Sequence, residues 1–365
     1  MNLRCAEAEF CHLEPYVEGW PLVPLNRSLR VASRGRGEGV SAMARTMVAG
    51  VPRGFREQQT QVGEVTLNYV EGPRNGEPLL LIPGQMESWQ GYKRVLPALS
   101  ERYHVFVPDL RGHGRSSRTP GHYSYNICGT DLRTFLDQVV GRPAHVSGLS
   151  SGGVLAVWLG AYAPDRVLSV VAEDPPIFAS VWPRIRDEKF LCLGFETAAR
   201  YLGAPQGRDL RGYFAHAGLP FEGETELRLI PRPILAVMFG IISANRTLRP
   251  KAPYDIPFLP FNLRAGLKFL SEYDPDFSRA TADGDLSEDF SPTDALRKVR
   301  CPMLLMWSGG TRVEGWGLLG AMDAADVQRA QDLVDDLRVV TIECRHEIHM
   351  LKPDDYLTEL TTFIG

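Results

Sequence analysis

Apolar positions in this chain gather into short, nearly unbroken runs: Leu79 to Ile82, Ala144 to Ser147, Arg166 to Ala172, Pro302 to Trp307 and Leu337 to Ile342. Runs of that length with consecutive rather than alternating apolar residues predict strands covered on both faces, the setting of a mostly parallel sheet. Ser151 to Gly160 reads as a helix of small and apolar residues, and Pro353 to Ile364 as a terminal helix. Residues 176–298 are too long for a loop and carry helical apolar spacing in several places, which predicts a helical cap. Its longest apolar run, Pro233 to Ile242, is too short to span a bilayer. The expected fold class is α/β, a central sheet flanked by helices. Its core is expected over 56–175 and 299–365, with the cap over 176–298. The first 55 residues read as a disordered or arm-like extension, since Arg27 to Gly39 has neither periodicity nor a core-forming run.

Candidate chemistry begins at Gly148-Leu149-Ser150-Ser151-Gly152, where a strand pattern passes into a helical one through a single residue. Such a G-x-S-x-G turn forces its central residue into strained backbone geometry and leaves room only for glycine on either side. It predicts Ser150 as a nucleophile held above the sheet. The amide of Ser151, at the positive end of the new helix, would face the oxygen that gathers charge in a tetrahedral intermediate.

A serine hydroxyl needs a base and a group that orients that base. Of the eight histidines, His346 lies on the loop between the last predicted strand and the last helix, in Arg345-His346-Glu347-Ile348-His349. It is the expected base, with His349 as the runner-up. The strand Pro302 to Trp307 is followed by Ser308-Gly-Gly-Thr311, with no aspartate there. Arg166 to Ala172, by contrast, ends in Glu173-Asp174-Pro175-Pro176, at the carboxyl edge of the sheet where catalytic groups of open α/β sheets collect. Side chains alternate along a strand, so only one of the two carboxylates is expected to face His346. Asp174 is the preferred acid, Glu173 the first alternative and Glu314 the next.

Residues 55–365 resemble the α/β-hydrolase superfamily, whose order of serine, acid and histidine matches Ser150, Asp174 and His346. Asp109-Leu-Arg111-Gly112-His113-Gly114-Arg-Ser116 resembles its D-x-R-G-x-G-x-S turn, which makes His113 a turn residue. Leu79 to Met86 occupies the place of its oxyanion loop, with Pro83 where a histidine is usual. By position, the Gln85 amide is the second oxyanion donor beside that of Ser151. An acid after the sixth strand is a minority arrangement, shared with haloalkane dehalogenases and zearalenone lactonases. Dehalogenases and epoxide hydrolases need a carboxylate nucleophile, which Ser150 is not. The blocks Ser150 to Gly153, Glu173 to Ser180 and Leu318 to Asp323 are similar to the bacterial zearalenone-hydrolysing branch. That resemblance implies a macrocyclic aryl lactone as substrate, and a homodimer.

The function expected is cleavage of a carboxylic ester in a bulky hydrophobic substrate. Trp89, Ile177, Phe178 and Trp182 are the expected substrate-facing residues, because they start beside the catalytic groups in the chain. The same triad also serves carbon–carbon bond hydrolases and perhydrolases, and the fold serves non-catalytic ligand receptors. Composition adds exclusions. Net charge is -4, from 40 basic and 44 acidic residues mixed along the chain, so neither nucleic acid nor an anionic membrane is an expected partner. The six cysteines form no C-x-x-C pair or metal-spaced cluster, so free thiols, no metal and no cofactor are expected. Glu7, Glu9, Glu14 and Glu18 interrupt any secretory signal, and a cytoplasmic location is expected.

Overall fold

The computed structural model describes residues 50–217, 219–220, 227–228, 231–250 and 252–365. Most of the expected N-terminal extension lies outside the described residues. The main sheet has eight strands: β1 (Arg56–Val62), β2 (Val65–Glu71), β3 (Pro78–Ile82), β4 (His104–Pro108), β5 (Ala144–Leu149), β6 (Val167–Glu173), β7 (Met303–Trp307) and β8 (Leu337–Thr341). Their order is β1-β2-β4-β3-β5-β6-β7-β8. β2 pairs antiparallel with both β1 and β4, and the pairings from β4 through β8 are parallel.

The central strands β3, β4 and β5 are buried at every position, which explains their continuous apolar sequence. Alternate residues serve opposite faces. Leu80 and Ile82 join Val146, Ala172 and Leu305 in one core, while Leu79 and Leu81 join Val107, Val171 and Leu304 in the other. The helix after β5, α1 (Ser151–Tyr162), is buried along nearly its whole length, and its small residues let it press onto the sheet. A β-carbon on Gly160 would sit 2.8 Å from Val170.

Between β6 and β7 lie α2 (Lys189–Leu202), α3 (Leu210–His216), α4 (Arg232–Leu248), α5 (Phe261–Glu272) and α6 (Pro275–Asp283). The first four share an apolar core of their own, including Leu202, Leu235, Phe239, Ile242, Ile256 and Leu270, against which Met86 of the β3 loop also packs, whereas α6 sends Phe277 and Ala280 into the main core. After β7 comes a small hairpin, Thr311–Val313 with Gly317–Leu319, which Glu188 holds through the Leu318 amide and Arg312. No described helix is long and apolar enough to cross a membrane. Cys128, Cys192, Cys301 and Cys344 are free thiols.

Candidate active site

The carboxyl ends of β5, β6 and β7 lie side by side, and backbone hydrogen bonds continue past the strands. The Ser150 amide donates to the Glu173 carbonyl at 2.8 Å, and the Asp174 amide donates to the Met306 carbonyl at 2.8 Å. Ser150 therefore stands one strand away from Asp174. The turn at Ser150 has φ 54° and ψ -123°. A β-carbon on Gly148 would lie 2.1 Å from the Gly152 carbonyl oxygen, and one on Gly152 would lie 2.3 Å from that of Ile82. Both obstacles are backbone, so the two glycines of G-x-S-x-G are steric necessities.

Among the described residues, the non-glycine positions with positive φ are Met86 (69°), Ser150 (54°) and Asp174 (42°). All three belong to this one edge of the sheet. Strained backbone of this kind persists only where the surroundings enforce it, and it gathers at functional sites.

Asp174 is completely buried. Its Oδ2 accepts from His346 Nδ1 at 2.6 Å and from Ser308 Oγ at 2.8 Å, and its Oδ1 accepts from the Ser308 amide at 3.0 Å. The bond to Nδ1 places that proton toward Asp174 and leaves Nε2 as the free ring nitrogen. Burial of the imidazole pulls its pKa down, but the hydrogen bond and charge of Asp174 outweigh this and lift it to about 9. The ring keeps 36% of its side-chain surface open to solvent, so water reaches it. Ser150 and His346 make no hydrogen bond to each other among the described residues, a link that in free enzymes often tightens only when substrate binds.

The runner-up acid and the runner-up base pair with each other on the far side of the strand end. Glu173 and His349 are both fully buried, and Glu173 accepts from His349 Nδ1 at 2.9 Å and from its amide at 2.8 Å. Glu314 is exposed in the turn of the small hairpin.

The amides of Gln85 and Ser151 donate to no protein acceptor among the described residues. The Gln85 side chain is tied to α6 and the residue before its N-cap: Nε2 donates to Tyr273 Oη at 2.9 Å and Ser278 Oγ at 3.3 Å, and Oε1 accepts from Thr281 at 3.1 Å. Below this loop sits Asp109, which accepts from the Trp89 amide at 2.8 Å and the Arg115 amide at 3.1 Å. Burial pushes its carboxyl up to about 6 against those donors. A β-carbon on Gly114 would lie 2.1 Å from that carboxylate, and Gly114 has φ 53°. His113 is buried in the same turn, with Nδ1 toward the Arg111 carbonyl and its ring against Tyr273 and Phe277.

Ile177, Phe178, Trp182 and Trp89, the four residues expected to face substrate, sit in different surroundings. Ile177 and Phe178 are buried in the main core, where the Arg329 guanidinium lies 4.3 Å from the Phe178 ring centre. Trp182 is 46% exposed and stacks with Arg186. Trp89 is buried, donates from its indole to Glu57 at 3.1 Å, and lines a cavity of about 370 Å³ with Lys93, Tyr254, Arg264 and Lys268. None of Ser150, Asp174 and His346 lines that cavity. Nearness along the chain was the only signal for these four, and it does not set side-chain direction. Ser308 was missed, although its place directly after β7 is the usual seat of a triad acid: here that position supplies two donors to the Asp174 carboxylate at the end of the neighbouring strand.

A family model described as the alpha/beta hydrolase fold matches residues 77–353. Among curated relatives, a fluoroacetate dehalogenase from a Burkholderia species is 33% identical over 126 residues, covering 33% of this chain and 41% of that one. A 3-oxoadipate enol-lactonase from Acinetobacter baylyi is 30% identical over 112 residues, covering 30% of this chain and 41% of that one. The matched stretch thus spans about two fifths of these relatives. Among solved structures, a hydrolase from Pseudomonas aeruginosa has a TM-score of 0.59 at 18% identity, covering 85% of this chain and 98% of that one. An enol-lactonase from Burkholderia xenovorans has a TM-score of 0.56 at 17% identity, covering 84% and 99%.

Proposed function

The chain belongs to the alpha/beta hydrolase fold family, and on that premise we propose that it is a serine-dependent carboxylic ester hydrolase that works through an acyl-enzyme. The observation that carries this reading is the 2.6 Å bond from His346 Nδ1 to buried Asp174, at the sheet edge where Ser150 holds its strained turn. His346 Nε2 takes the Ser150 proton as Oγ attacks the carbonyl, and the amides of Gln85 and Ser151 receive the developing oxyanion. The alcohol leaves with the proton from His346. Water activated by the same nitrogen then releases the acid. Dehalogenase and epoxide-hydrolase chemistry, named among the relatives, calls for a carboxylate where this chain has Ser150.

For the substrate we propose a bulky hydrophobic lactone, with a macrocyclic aryl lactone such as zearalenone as the leading candidate. The short-block resemblance noted above and the enol-lactonase relatives support it. Both products of a lactone remain in one molecule, a ring-opened hydroxy acid. Incubation with zearalenone, followed by chromatography and mass spectrometry, is expected to show the ring-opened acid with the native chain and none with Ser150→Ala. If the native chain leaves zearalenone intact while a fluorophosphonate still labels Ser150, the macrocyclic substrate is discarded and the hydrolase stands.

The raised pKa of His346 gives a pH expectation. The base must be unprotonated at Nε2, so kcat/KM on a neutral ester is expected to climb with pH through the alkaline range, with the midpoint of the rise near 9 and the plateau above it. A pH profile with its acid limb at the ordinary histidine value of about 6.5 would contradict the Asp174–His346 coupling.

A further inference from the structure

Below the proposed triad lies a second acid–histidine group that the reaction does not use. Glu173 holds His349 from the Nδ1 side, so its Nε2 is the remaining ring nitrogen, and that atom is buried without a partner among the described residues. Glu87 Oε2 is likewise buried and unpartnered. The two atoms converge on the bare α-carbon of Gly91, where a β-carbon would sit 3.1 Å from Glu87 Oε2 and 3.5 Å from His349 Nε2. Tyr92 stacks on the His349 ring at 4.0 Å and donates to the Ile82 carbonyl at the end of β3. The charged and titratable groups facing this site are Glu173 at the end of β6, Cys344, His346, Glu347 and His349 around the base loop, Tyr92 beside the oxyanion loop, and Tyr356 on the last helix.

Three catalytic segments meet here. Glu87 is two residues beyond Gln85, and its amide closes the oxyanion loop onto the Gly84 carbonyl. His349 is three residues beyond His346, and Glu173 precedes Asp174. We propose that Glu87, His349 and Glu173 form a buried positioning triad in which a proton shared by Glu87 and His349 Nε2 across one water locks the oxyanion loop to the loop carrying His346. The proposal rests on the serine-hydrolase reading. Two carboxylates around one imidazole are expensive to bury unless a proton neutralises part of the charge. Burial is also the main force that raises the Glu87 carboxyl, to about 7, while on His349 burial opposes and Glu173 favours the protonated ring, with a net rise.

The test compares the full chain with Glu87→Gln, which keeps the shape and loses the titration, and with Glu173→Gln. Readouts are hydrolysis of p-nitrophenyl butyrate from pH 5 to 10, melting temperature, and ring-nitrogen NMR of histidine-labelled protein. Glu87→Gln is expected to lower kcat about ten- to hundredfold at unchanged KM, the scale set by small misplacement of reacting groups. It is also expected to remove an inflection in kcat near neutral pH and to move the His349 resonances, with melting temperature unchanged. His349 resonances indifferent to Glu87→Gln overturn the proposal, as does a native pH profile in that variant or a loss of kcat that merely tracks melting temperature in both variants. The resonances are read without substrate. A native chain whose Ser150 resists fluorophosphonate therefore sinks the hydrolase reading alone, and the shared proton is still decided.

Discussion

Ser150→Ala is expected to lower kcat on p-nitrophenyl butyrate by about a millionfold, the scale seen when the nucleophile of a serine triad is removed. The loss should leave KM nearly unchanged, because the side chain exchanged is small and only half-buried. The residue next to it matters in a different way. Ser151 contributes an amide, so a change of its side chain leaves the donor in place, whereas at position 150 the side chain is the reactant. Steady-state kinetics, with fluorophosphonate labelling of both proteins, checks this. A variant that kept more than a hundredth of the native kcat would remove Ser150 from the mechanism. Residual turnover above the uncatalysed rate is still expected, since the two amides stabilise an oxyanion whether serine or water attacks.

Asp174→Asn is expected to cost about ten-thousandfold in kcat, with the fold retained. The geometry explains why so small a change is so damaging. The Asp174 carboxylate accepts from three donors: the Ser308 amide, the Ser308 hydroxyl and His346 Nδ1. The Ser308 amide can only donate, so the single carbonyl oxygen of an asparagine is held on that side. Its NH2 group then faces His346 Nδ1. That nitrogen must become the acceptor, the ring proton moves to Nε2, and the atom that should take the Ser150 proton carries one already. Kinetics on p-nitrophenyl butyrate together with ring-nitrogen NMR of His346 read both halves of this argument. Retained activity with an unchanged His346 tautomer would transfer the acid role elsewhere.

The sheet, the serine turn and the two carboxylates at the end of β6 could be read from the chain because each depends on local pattern. Buried parallel strands require unbroken apolar runs, and the elbow requires Gly148 and Gly152. Which carboxylate meets which histidine was another matter. Alternation along β6 said that Glu173 and Asp174 diverge, but not that His349 waits for Glu173 in a second core, because that pairing depends on the path of the base loop over the sheet. The side chain of Gln85 was equally hidden: its position in the loop pointed to an amide, while its three partners come from residues 273–281. For Phe178 and Trp182, closeness in sequence to Asp174 was the only signal, and it does not foretell that one side chain is buried in the main core and the other is 46% exposed.

The three left-handed residues, Met86, Ser150 and Asp174, bear on how this protein can be engineered. Backbone held in such conformations costs on the order of 1–3 kcal/mol at each position, and glycine relieves most of it. Selection for heat resistance alone therefore favours glycine at position 150, which also erases the reactive hydroxyl. A library screened by melting temperature would enrich inert proteins, and the turnover assay has to sit inside the selection rather than follow it.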